Sequence, residues 1–503
     1  MKRHVFASIT AAIVMLVILP ALATPAPQVF IYTDRQSYQA GDTIEVSLAG
    51  QNEGEGMSVD VYIGLLTPDG ALWTLGELAW SEGIGPWIQN VYLPSQFNME
   101  RCPFFWFPLP CEAPLIDQPG EFAFMAALMR SGTLEFVSAI SAAPFEVVQV
   151  PRDYYVDAEL GDDANVGSED APWLTITHAL NSVLASALSP VTIHVAPGTY
   201  DRSWPPAAET FPLKMKSWVS LVAEGPETTI DGEGSRVISC EGVEGVTIQG
   251  FTITGGGGGT MYGIQYGAGI FCLDSSVLIT DNMIVENRSG GEGTELGGGA
   301  GIYCRGGSPF ILDNVIALNT DIWKGDGGGI LCEDSAAMIV GNVIANNKVD
   351  MGEGCGIYIW ASSTQTPPRQ ISNNTIVDNI GRFSGISGYG NFDGWAVVDC
   401  IVWSSREESG IVFEGVSASY CCIRGGHPGE GNIDQDPMLV ADWAGPWWLR
   451  WRRYLNPESP CIDAGSRSAE EAGLSGMTTQ LDGTPDTGRV DMGVHYPVPQ
   501  WTH

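Results

Sequence analysis

The chain has 503 residues, and its acidic side chains outnumber its basic ones 59 to 23, which gives a formal net charge of −36. A charge of that sign and size repels nucleic-acid phosphates and anionic membrane surfaces, so the composition argues against both as partners. It attracts cations, and Ca²⁺ is the cofactor that we expect if the protein uses one. The alternative is that the charge only keeps a glycine-rich protein in solution.

The first 23 residues have the pattern of a secretory signal peptide. Lys2 and Arg3 precede an apolar run at 9–19, and Ala-Leu-Ala at 21–23 provides a cleavage site of small residues. The apolar run is shorter than the roughly 18 residues that a membrane helix needs, and no later stretch reaches that length. We therefore expect a secreted or cell-surface monomer without membrane insertion.

Residues 24–150 have the pattern of an antiparallel β-sandwich. Short alternating strands are separated by Pro-Asp-Gly and Pro-Gly turns, and about seven such strands suit two packed sheets. The segment SYQAGDTIEVSL resembles the opening strands of immunoglobulin-like and macroglobulin-like modules of exported bacterial proteins. Cys102 and Cys111 close a short proline-rich loop and are the predicted disulfide pair.

Residues 151–200 are predicted to begin and cap the next domain. They contain one helical pattern, from about Thr175 to Ala187, and a strand over Val191–Val195. Asp162, Asp163 and Asn165 alternate with other residues as the ligands of calcium-binding loops do. We expect either a structural Ca²⁺ or a plain acidic turn there.

From residue 201 to about 430 a phrase of about 30 residues recurs. It is written GAGIFC…DNMIVEN at 267–287, GAGIYC…DNVIALN at 299–319, GGGILC…GNVIANN at 327–347 and GCGIYI…NNTIVDN at 354–379. Short strands separated by Gly and Asn at a fixed period indicate a stacked β-solenoid. Residues 431–503 are predicted to close its C-terminal end.

Side-chain parity along each strand assigns the faces of the predicted coil. Ile302 and Cys304 should point inward and Tyr303 outward. The equivalent thiols form a predicted inward column of Cys272, Cys304 and Cys332.

Asparagines recur at a fixed place in the phrase. An inward amide is costly unless it is hydrogen-bonded, so amides on successive coils should bond to one another as a ladder. The predicted ladder is Asn282, Asn314, Asn342 and Asn374. A second asparagine follows each of these five places later, at Asn287, Asn319, Asn347 and Asn379. Gly250 upstream and Asp399 downstream are predicted to occupy the ladder slot in their coils.

The spacing of the phrase resembles a right-handed parallel β-helix of the pectate-lyase-like superfamily, over roughly residues 154–500. APWLTITHAL…IHVAPGTY resembles the capping segment of such proteins, and SPCIDAGS…LDGTPDTGRVDMGVHY resembles their closing region. The resemblance implies an all-β chain, in which a right-handed parallel β-helix with an N-terminal capping helix follows the antiparallel β-sandwich. It also implies contact with an extracellular or cell-surface polysaccharide.

Each enzyme class in that superfamily requires its own catalytic groups. Polygalacturonase-type hydrolysis needs an Asn-Thr-Asp, an Asp-Asp and a Gly-His-Gly on successive coils. Asn-Thr-Asp occurs at 319–321, but neither of the other two motifs lies on the next coils. Lyase chemistry needs a basic side chain and a cation. Lys324 near Asp321 and Asp326, with Arg305 as a clamp for a substrate carboxylate, is the predicted lyase site. The alternative is an ordinary solvated loop.

Two groups of aromatic residues are candidates for glycan binding. Phe271, Tyr303 and Tyr358, with Leu331 between them, form the predicted outward column, whose rings could stack on a sugar chain unless the glycine-rich inserts cover them. The segment 442–455 contains Trp447, Trp448 and Trp451, and it is either a sugar platform or a strand that closes the last coils.

The sequence therefore favours non-catalytic glycan binding or surface scaffolding. The alternative is a polysaccharide lyase, or a hydrolase, that acts on uronate-containing glycans with a Lys or Arg base and Ca²⁺. Which glycan is bound does not follow from the residues.

Overall fold

The protein is described here by a computed structural model. It divides into two compact units, residues 1–151 and 152–503. The described residues are 26–498 without 39–41, 77–79, 110, 113–114, 117–119, 149–151, 188, 204–207, 226, 262–263, 291–296, 323–324, 363–368, 393, 405–409, 413–415 and 442–449. The predicted signal peptide lies outside them.

The first unit is an antiparallel β-sandwich, as predicted. Its strands are β1 (Gln28–Thr33), β2 (Ser37–Tyr38), β3 (Thr43–Asn52), β4 (Met57–Leu66), β5 (Leu72–Leu75), β6 (Trp80–Glu82), β7 (Ile88–Leu93), β8 (Phe97–Pro108), β9 (Cys111–Glu112), β10 (Leu115–Ile116), β11 (Gly120–Arg130) and β12 (Ser141–Val147). One sheet has the order β1-β3-β8, and the other has the order β2-β12-β11-β4-β5-β6 with β7 also paired to β4. Alternate residues of both sheets, such as Val46 and Phe124, are buried in one shared core.

Cys102 is exposed, and its thiol is not bonded to any other cysteine whose side chain the structure describes. The side chain of Cys111 lies outside the described residues. The Cys102–Cys111 disulfide therefore stays a prediction.

The described residues of the second unit form short strands and two short helices. The helices are α1 (Ile176–Ser182) and α2 (Ala469–Ala472). The strands are β13 (Asp153–Val156), β14 (Val191–Val195), β15 (Gly198–Tyr200), β16 (Leu213–Lys214), β17 (Val219–Ala223), β18 (Thr228–Asp231), β19 (Ile238–Glu241), β20 (Glu244–Gln249), β21 (Thr252–Thr254), β22 (Gly259–Met261), β23 (Ile264–Tyr266), β24 (Ile270–Leu273), β25 (Ser276–Thr280), β26 (Met283–Val285), β27 (Arg288–Ser289), β28 (Gly297–Gly298), β29 (Ile302–Arg305), β30 (Phe310–Leu312), β31 (Val315–Ala317), β32 (Thr320–Asp321), β33 (Ile330–Glu333), β34 (Met338–Val340), β35 (Val343–Ala345), β36 (Lys348–Glu353), β37 (Ile357–Ala361), β38 (Arg369–Ser372), β39 (Thr375–Val377), β40 (Ile380–Arg382), β41 (Ile386–Gly390), β42 (Trp395–Val398), β43 (Ile401–Trp403), β44 (Ile411–Val412), β45 (Ser417–Ser419), β46 (Cys422–Ile423), β47 (Leu439–Val440), β48 (Tyr454–Leu455), β49 (Met477–Thr478) and β50 (Tyr496–Pro497).

Three long parallel sheets form the wall of a β-helix. Sheet 1 has the order β13-β14-β17-β20-β25-β30-β34-β38-β42-β45, sheet 2 has β15-β18-β21-β26-β31-β35-β39-β43-β46, and sheet 3 has β16-β19-β24-β29-β33-β37-β41-β44. Each complete coil contributes one strand to each sheet, so a residue lies directly above its counterpart in the next coil. Two smaller sheets, β22-β23-β28 and β27-β32-β36-β40, lie in the inserts.

The interior of the β-helix is filled by the inward side chains of its strands, which lie one above another from coil to coil. Isoleucines such as Ile302 and Ile330 are fully buried in it. Cys240, Cys272, Cys304 and Cys332 are in register on neighbouring strands of sheet 3 and are buried. The thiols therefore act as small core side chains, as the sequence predicts.

The asparagines stack along the axis in the arrangement that the repeat predicts. The Asn282 side-chain amide donates to Oδ1 of Asn314 over 3.1 Å, Asn314 donates to Asn342 over 3.0 Å, and Asn342 donates to Asn374 over 3.0 Å. Each amide also donates to a backbone carbonyl in the coil on the other side, as Asn314 does to Ile279 over 2.8 Å. The second set, from Asn287 to Asn379, forms another ladder beside the first, in which each side-chain amide donates to Oδ1 of the next asparagine over 3.0 Å.

The predicted ends of the first ladder were displaced by one residue. Strand register aligns Phe251 and Cys400, rather than Gly250 and Asp399, with the asparagine slot. Gly250 and Asp399 have φ values of 84° and 55°, and they occupy the left-handed corner that precedes the slot. Gly250 has no side chain and Asp399 has a short polar one, and both suit that corner. The pattern of small and polar residues therefore placed the ladder slot one residue too early in these two coils.

The capping helix is shorter than predicted. It begins after Thr175, whose hydroxyl accepts from the backbone N–H of His178, and it ends at Ser182 because Val183 adopts extended backbone. Ile176 and Leu180 of this helix are buried in the core of the β-helix. The helix thus covers the apolar interior of the first coil, as its predicted role requires.

The C-terminal segment closes the fold by packing along the outside of sheet 2. Tyr454, Leu455 and Val494 share a buried cluster with Val343 and Val377 of that sheet. No helix among the described residues is long and apolar enough to cross a membrane.

The first prediction concerns the middle of the asparagine ladder. Asn314→Ala removes the acceptor of the Asn282 backbone and side-chain N–H groups and leaves the Ile279 carbonyl without its donor. Unpaired buried polar groups are costly, so we expect the free energy of unfolding to fall by about 2–4 kcal/mol. The measurement is the guanidinium midpoint of the β-helix transition.

Asn181→Ala is the matched control for that change. Asn181 is an exposed residue of α1, where alanine is a good helix former. Its substitution should leave the free energy of unfolding within about 0.5 kcal/mol of the wild-type value. A ladder variant no less stable than this control contradicts the role assigned to the amide stack.

Candidate functional site

The predicted aromatic column points away from the lumen but is covered. Phe271, Tyr303 and Leu331 pack in a cluster separate from the main core, which confirms their outward direction, yet each is buried. Tyr358 is partly buried. A glycan cannot stack on Phe271 or Tyr303, so their predicted binding role was wrong.

Residues of the inserts cover this column. The Tyr266 ring stacks on Tyr303 at a centroid distance of 4.6 Å, and Tyr303 stacks on Phe271 at 5.3 Å. The guanidinium of Arg236 lies 3.8 Å from the centroid of the Phe271 ring, and its amino group donates to the Tyr266 carbonyl over 2.9 Å. The rings therefore form a secondary core outside sheet 3.

The next outward position of the same strands is partly exposed in three coils and open to solvent in two. Strand register aligns Leu273, Arg305, Glu333, Trp360 and Tyr389 in one line across five coils. Trp360 is 44% exposed and Tyr389 is 71% exposed. We call these five residues the outer column. It combines a charged pair with two aromatic residues on neighbouring strands, whose backbones lie about 4.8 Å apart.

Glu333 links the buried cluster to the outer column. Its carboxylate accepts from the Tyr303 hydroxyl over 2.6 Å and pairs with the Arg305 guanidinium over 3.5 Å. Burial, and next the bond to Glu333, raise the pKa of Tyr303 far above its ordinary value, so its hydroxyl stays a donor. Glu333 is only 15% exposed, whereas Arg305 is 43% exposed. The predicted clamp Arg305 thus reaches the surface, but it is already paired.

A second acidic group lies on the inserts. Burial, with the nearby charges of Glu353 and Asp321, raises the pKa of Asp326 to about 6, although a bond from the Glu353 backbone N–H opposes the shift. Glu353 in turn pairs with the Arg382 guanidinium over 3.0 Å. A fraction of the Asp326 carboxyl groups therefore carries a proton near neutral pH.

Of the predicted lyase trio, the structure describes Asp321 and Asp326, and Asp321 does not reach the surface. Asp321 is fully buried, and its carboxylate accepts from the Ser289 hydroxyl over 2.7 Å and from the Gly325 N–H over 2.9 Å. Its role is therefore structural, and its assignment as a ligand for substrate-linked Ca²⁺ was wrong. Lys324 lies outside the described residues.

The acidic loop at the cap does not fit a calcium site. The carboxylate of Asp163 accepts from the backbone N–H groups of Leu174 and Thr175 and from the Thr175 hydroxyl, at 2.9–3.0 Å. Asp162 closes a turn onto Ala164, and Asn165 donates to the Pro172 carbonyl. A plain acidic turn, the alternative, accounts for these contacts.

The rest of the described chain also lacks a cluster of metal ligands. Over the part of the chain that the structure describes, no group of three or more His, Cys, Asp or Glu side chains is arranged to hold a metal ion. Resident Ca²⁺ therefore has no supporting geometry among these residues.

The tryptophan-rich segment is described only in part. Trp447 and Trp448 lie outside the described residues. Trp451 packs against Met283, Val285 and Ala317 on the outer face of sheet 2. It forms one side of a groove on that face.

The sequence analysis missed Trp360 and Tyr389. Trp360 occupies the position of Arg305 and Glu333 in the fourth phrase, so extending the column analysis by two residues finds it. Tyr389 lies in a coil whose strand reads ISGYG and carries no recognisable phrase. Only the observed register shows that Tyr389 continues the column.

The comparisons with known proteins add little about activity. Residues 159–390 match the family described as "Protein of unknown function (DUF1565)". No curated protein matches the chain. Solved structures that it resembles include a GH136 lacto-N-biosidase from Eubacterium ramulus, at 14% identity over 54% of this chain and 58% of that one, with a TM-score of 0.27.

Two further structures are similar to parts of the chain. A rhamnogalacturonan lyase is 15% identical over 52% of this chain and 90% of that one, with a TM-score of 0.21. The CARDB domain of a Pyrococcus furiosus protein, in complex with di-metal ions, is 16% identical over 26% of this chain and 97% of that one, with a TM-score of 0.17. TM-scores this low support no inference about function.

The second prediction follows from the pKa of Asp326. Because its folded-state pKa of about 6 lies above the ordinary value near 4, the folded protein binds a proton that the unfolded chain has lost, and stability falls as pH rises from about 4 to about 6. Asp326→Asn removes the charge and keeps an acceptor for the Glu353 N–H. It should therefore raise stability by about 1–2 kcal/mol at pH 7 and change little at pH 4.

Denaturant titration at the two pH values measures this effect. Asp170→Asn, at an exposed aspartate near the cap, is the control and should show no such difference between the two pH values. A stabilisation by Asp326→Asn that is equal at pH 4 and pH 7 contradicts the assigned proton uptake.

Proposed function

We propose that the protein is a non-catalytic glycan-binding protein whose β-helix holds a sugar chain along the outer column. The single observation that carries this proposal is the exposure of Trp360 and Tyr389 on neighbouring strands of one straight column. Aromatic rings offer flat apolar area with little conformational freedom to lose, which suits the apolar faces of sugar rings.

The outer column is rigid because its backbone belongs to sheet 3. The strands that hold Trp360 and Tyr389 are paired over five residues each. Their inward neighbours Ile357 and Ile386 are fully buried. A ligand that binds to such a surface does not have to order it first, so little affinity is lost to conformational entropy.

The charges around the column favour a neutral glycan. Arg305 is paired with Glu333, Arg382 with Glu353, and Lys348 with Asp350. Each of these cations is therefore already neutralised by a carboxylate, and the chain as a whole carries a net charge of −36. A polyuronate would be repelled here because its charge has the same sign as that of the protein.

Hydrolysis is the second candidate, and Asp326 is the observation that favours it. A carboxylic acid with a pKa raised to about 6 near a second carboxylate is the kind of group that glycoside hydrolysis uses as its proton donor. In that case Asp326 is the proton donor and Glu353, which pairs with Arg382, is the second carboxylate. Non-catalytic binding ranks first because the exposed rings need no further group to act.

Two finer assignments belong to the same proposal. We place the β-helix in the pectate-lyase-like superfamily and compare the sandwich with immunoglobulin-like modules. We also expect export as a monomer, on the pattern of residues 1–23. Detection of the processed protein in the culture medium of its source tests the export.

The third prediction is tested by retention on insoluble polysaccharides. The wild type should be retained on at least one neutral polymer among cellulose, xylan, mannan and chitin, without release of reducing ends or of unsaturated products absorbing at 235 nm. Trp360→Ala and Tyr389→Ala should each weaken retention about tenfold, since a stacked ring contributes on the order of 1.4 kcal/mol.

Trp106→Ala is the matched control. Trp106 is 60% exposed on the sandwich, and its loss should leave retention unchanged. Retention on polygalacturonate alone, retention on no polymer, or equal binding by the Trp360 variant and the wild type overturns the proposed site. If the wild type releases reducing ends and the Asp326→Asn variant does not, the protein is a hydrolase and the binding proposal is wrong.

A further inference from the structure

A groove of about 700 Å³ lies on the outer face of sheet 2, away from the outer column. Its residues come from the first coils of that sheet, from two corners of later coils and from the C-terminal segment. They are Thr229, Thr252, Thr254, Val285, Glu286, Leu318, Asn346, Arg450, Trp451 and Arg453. We call it the threonine groove. Its volume falls within the range of small-molecule sites.

The wall of the groove is fixed by contacts within the C-terminal segment. Arg453 donates to the carbonyls of Arg450 and Trp451 over 3.1 Å, which closes the backbone on itself. The backbone N–H of Arg453 donates to the Tyr496 hydroxyl over 2.9 Å. Trp451 is held against the apolar outer face of sheet 2 near Val315. The indole is therefore a positioned wall and not a mobile side chain.

The floor of the groove presents the partly exposed threonines Thr229 and Thr254, whereas Thr252 beside them is buried. Thr229 and Thr252 are partners in register on neighbouring strands, and Thr254 lies two residues further along the second strand. All three are on the outward face, because Ile230 and Ile253 between them point into the core. Hydroxyls can both donate and accept, so the floor matches a ligand that carries hydroxyls of its own.

The rim adds groups of different character. Glu286 is exposed at a left-handed corner, and Asn346 occupies the equivalent corner two coils later. Arg450 is exposed on the opposite side. A carboxylate, an amide, a guanidinium, one aromatic wall and a floor of hydroxyls together suit a polyhydroxylated ligand without net charge.

From this geometry we infer that the threonine groove is a second carbohydrate site, which takes the end of a short neutral oligosaccharide. Trp451 contacts the face of one sugar ring, Thr229, Thr254 and Asn346 bond its hydroxyls, and Glu286 and Arg450 bond hydroxyls at the rim. Because the groove and the outer column lie on different sheets of one β-helix, the protein can hold two glycan chains at once. The inference extends the proposed function but stands on different residues.

The fourth prediction uses soluble neutral hexasaccharides of glucan, mannan and chitin types, with oligogalacturonate as the acidic comparison. Titration calorimetry is carried out on the full chain that carries Trp360→Ala, which disables the outer column. At least one neutral hexasaccharide should still bind. Trp451→Ala in that background should weaken binding at least tenfold, and Trp451→Phe, which keeps the apolar packing, should retain part of it.

Two further variants test the hydroxyl floor and the ligand class. Thr254→Val keeps the branched shape and should weaken binding about three- to tenfold, while Thr247→Val on the outer face of sheet 1 should have no effect. Glu286→Gln should weaken binding of a neutral ligand, whereas it should strengthen binding of an anionic one.

The outcomes separate the two sites. Loss of all hexasaccharide binding in Trp360→Ala overturns the groove and leaves the outer column standing. Binding that survives Trp360→Ala and responds to Trp451 supports the groove even if the column fails on polymers. Preference for oligogalacturonate, or indifference to both Trp451→Ala and Thr254→Val, overturns the inference.

Discussion

The hydrogen bond between one asparagine amide and the amide of the next coil is the constraint on which the rest of the β-helix depends. Each amide in the middle of the ladder satisfies its neighbour and one backbone carbonyl, as Asn314 does for Asn282 and Ile279. A shift of one coil by a single residue breaks these bonds and also turns isoleucines out of the core. The ladder therefore fixes the register of three sheets at once, including surfaces that it does not touch.

The outer surfaces follow from that register. The lumen is filled mainly by isoleucine, valine and cysteine, so the coils differ in chemical character chiefly at outward positions and in the inserts. On sheet 3 the inserts cover one outward line and leave the next one open, which gives a buried stack around Tyr303 beside an exposed line that ends at Trp360 and Tyr389. On sheet 2 the C-terminal segment covers the later coils and leaves the earlier ones as the threonine groove.

The sequence was sufficient for the fold because its information is local and repeated. Parity within GIYC, and the interval between asparagines, determine which side chains face inward, so the thiol column and the ladder could be predicted. The ends of the ladder could not, since Gly250 and Asp399 suit a left-handed corner as well as they suit a gap in the pattern.

The candidate site was harder to predict than the fold for a related reason. Parity gives the direction of Tyr303 but does not tell what lies above it, and the covering residue Tyr266 comes from an insert outside the repeat. Asp321 was mistaken for a surface ligand because its burial depends on Ser289 in the preceding coil. Contacts between inserts have no period, so a repeat analysis cannot find them.

The outer column presents one side chain per coil at a fixed interval. That interval is the distance between neighbouring strands, and replacing one of these side chains leaves the lumen unchanged. Substitutions can therefore alter the order of rings and charges along the column, one residue at a time, without disturbing the β-helix beneath it. Ligand choice and folding become separable traits, which few surfaces made of irregular loops allow.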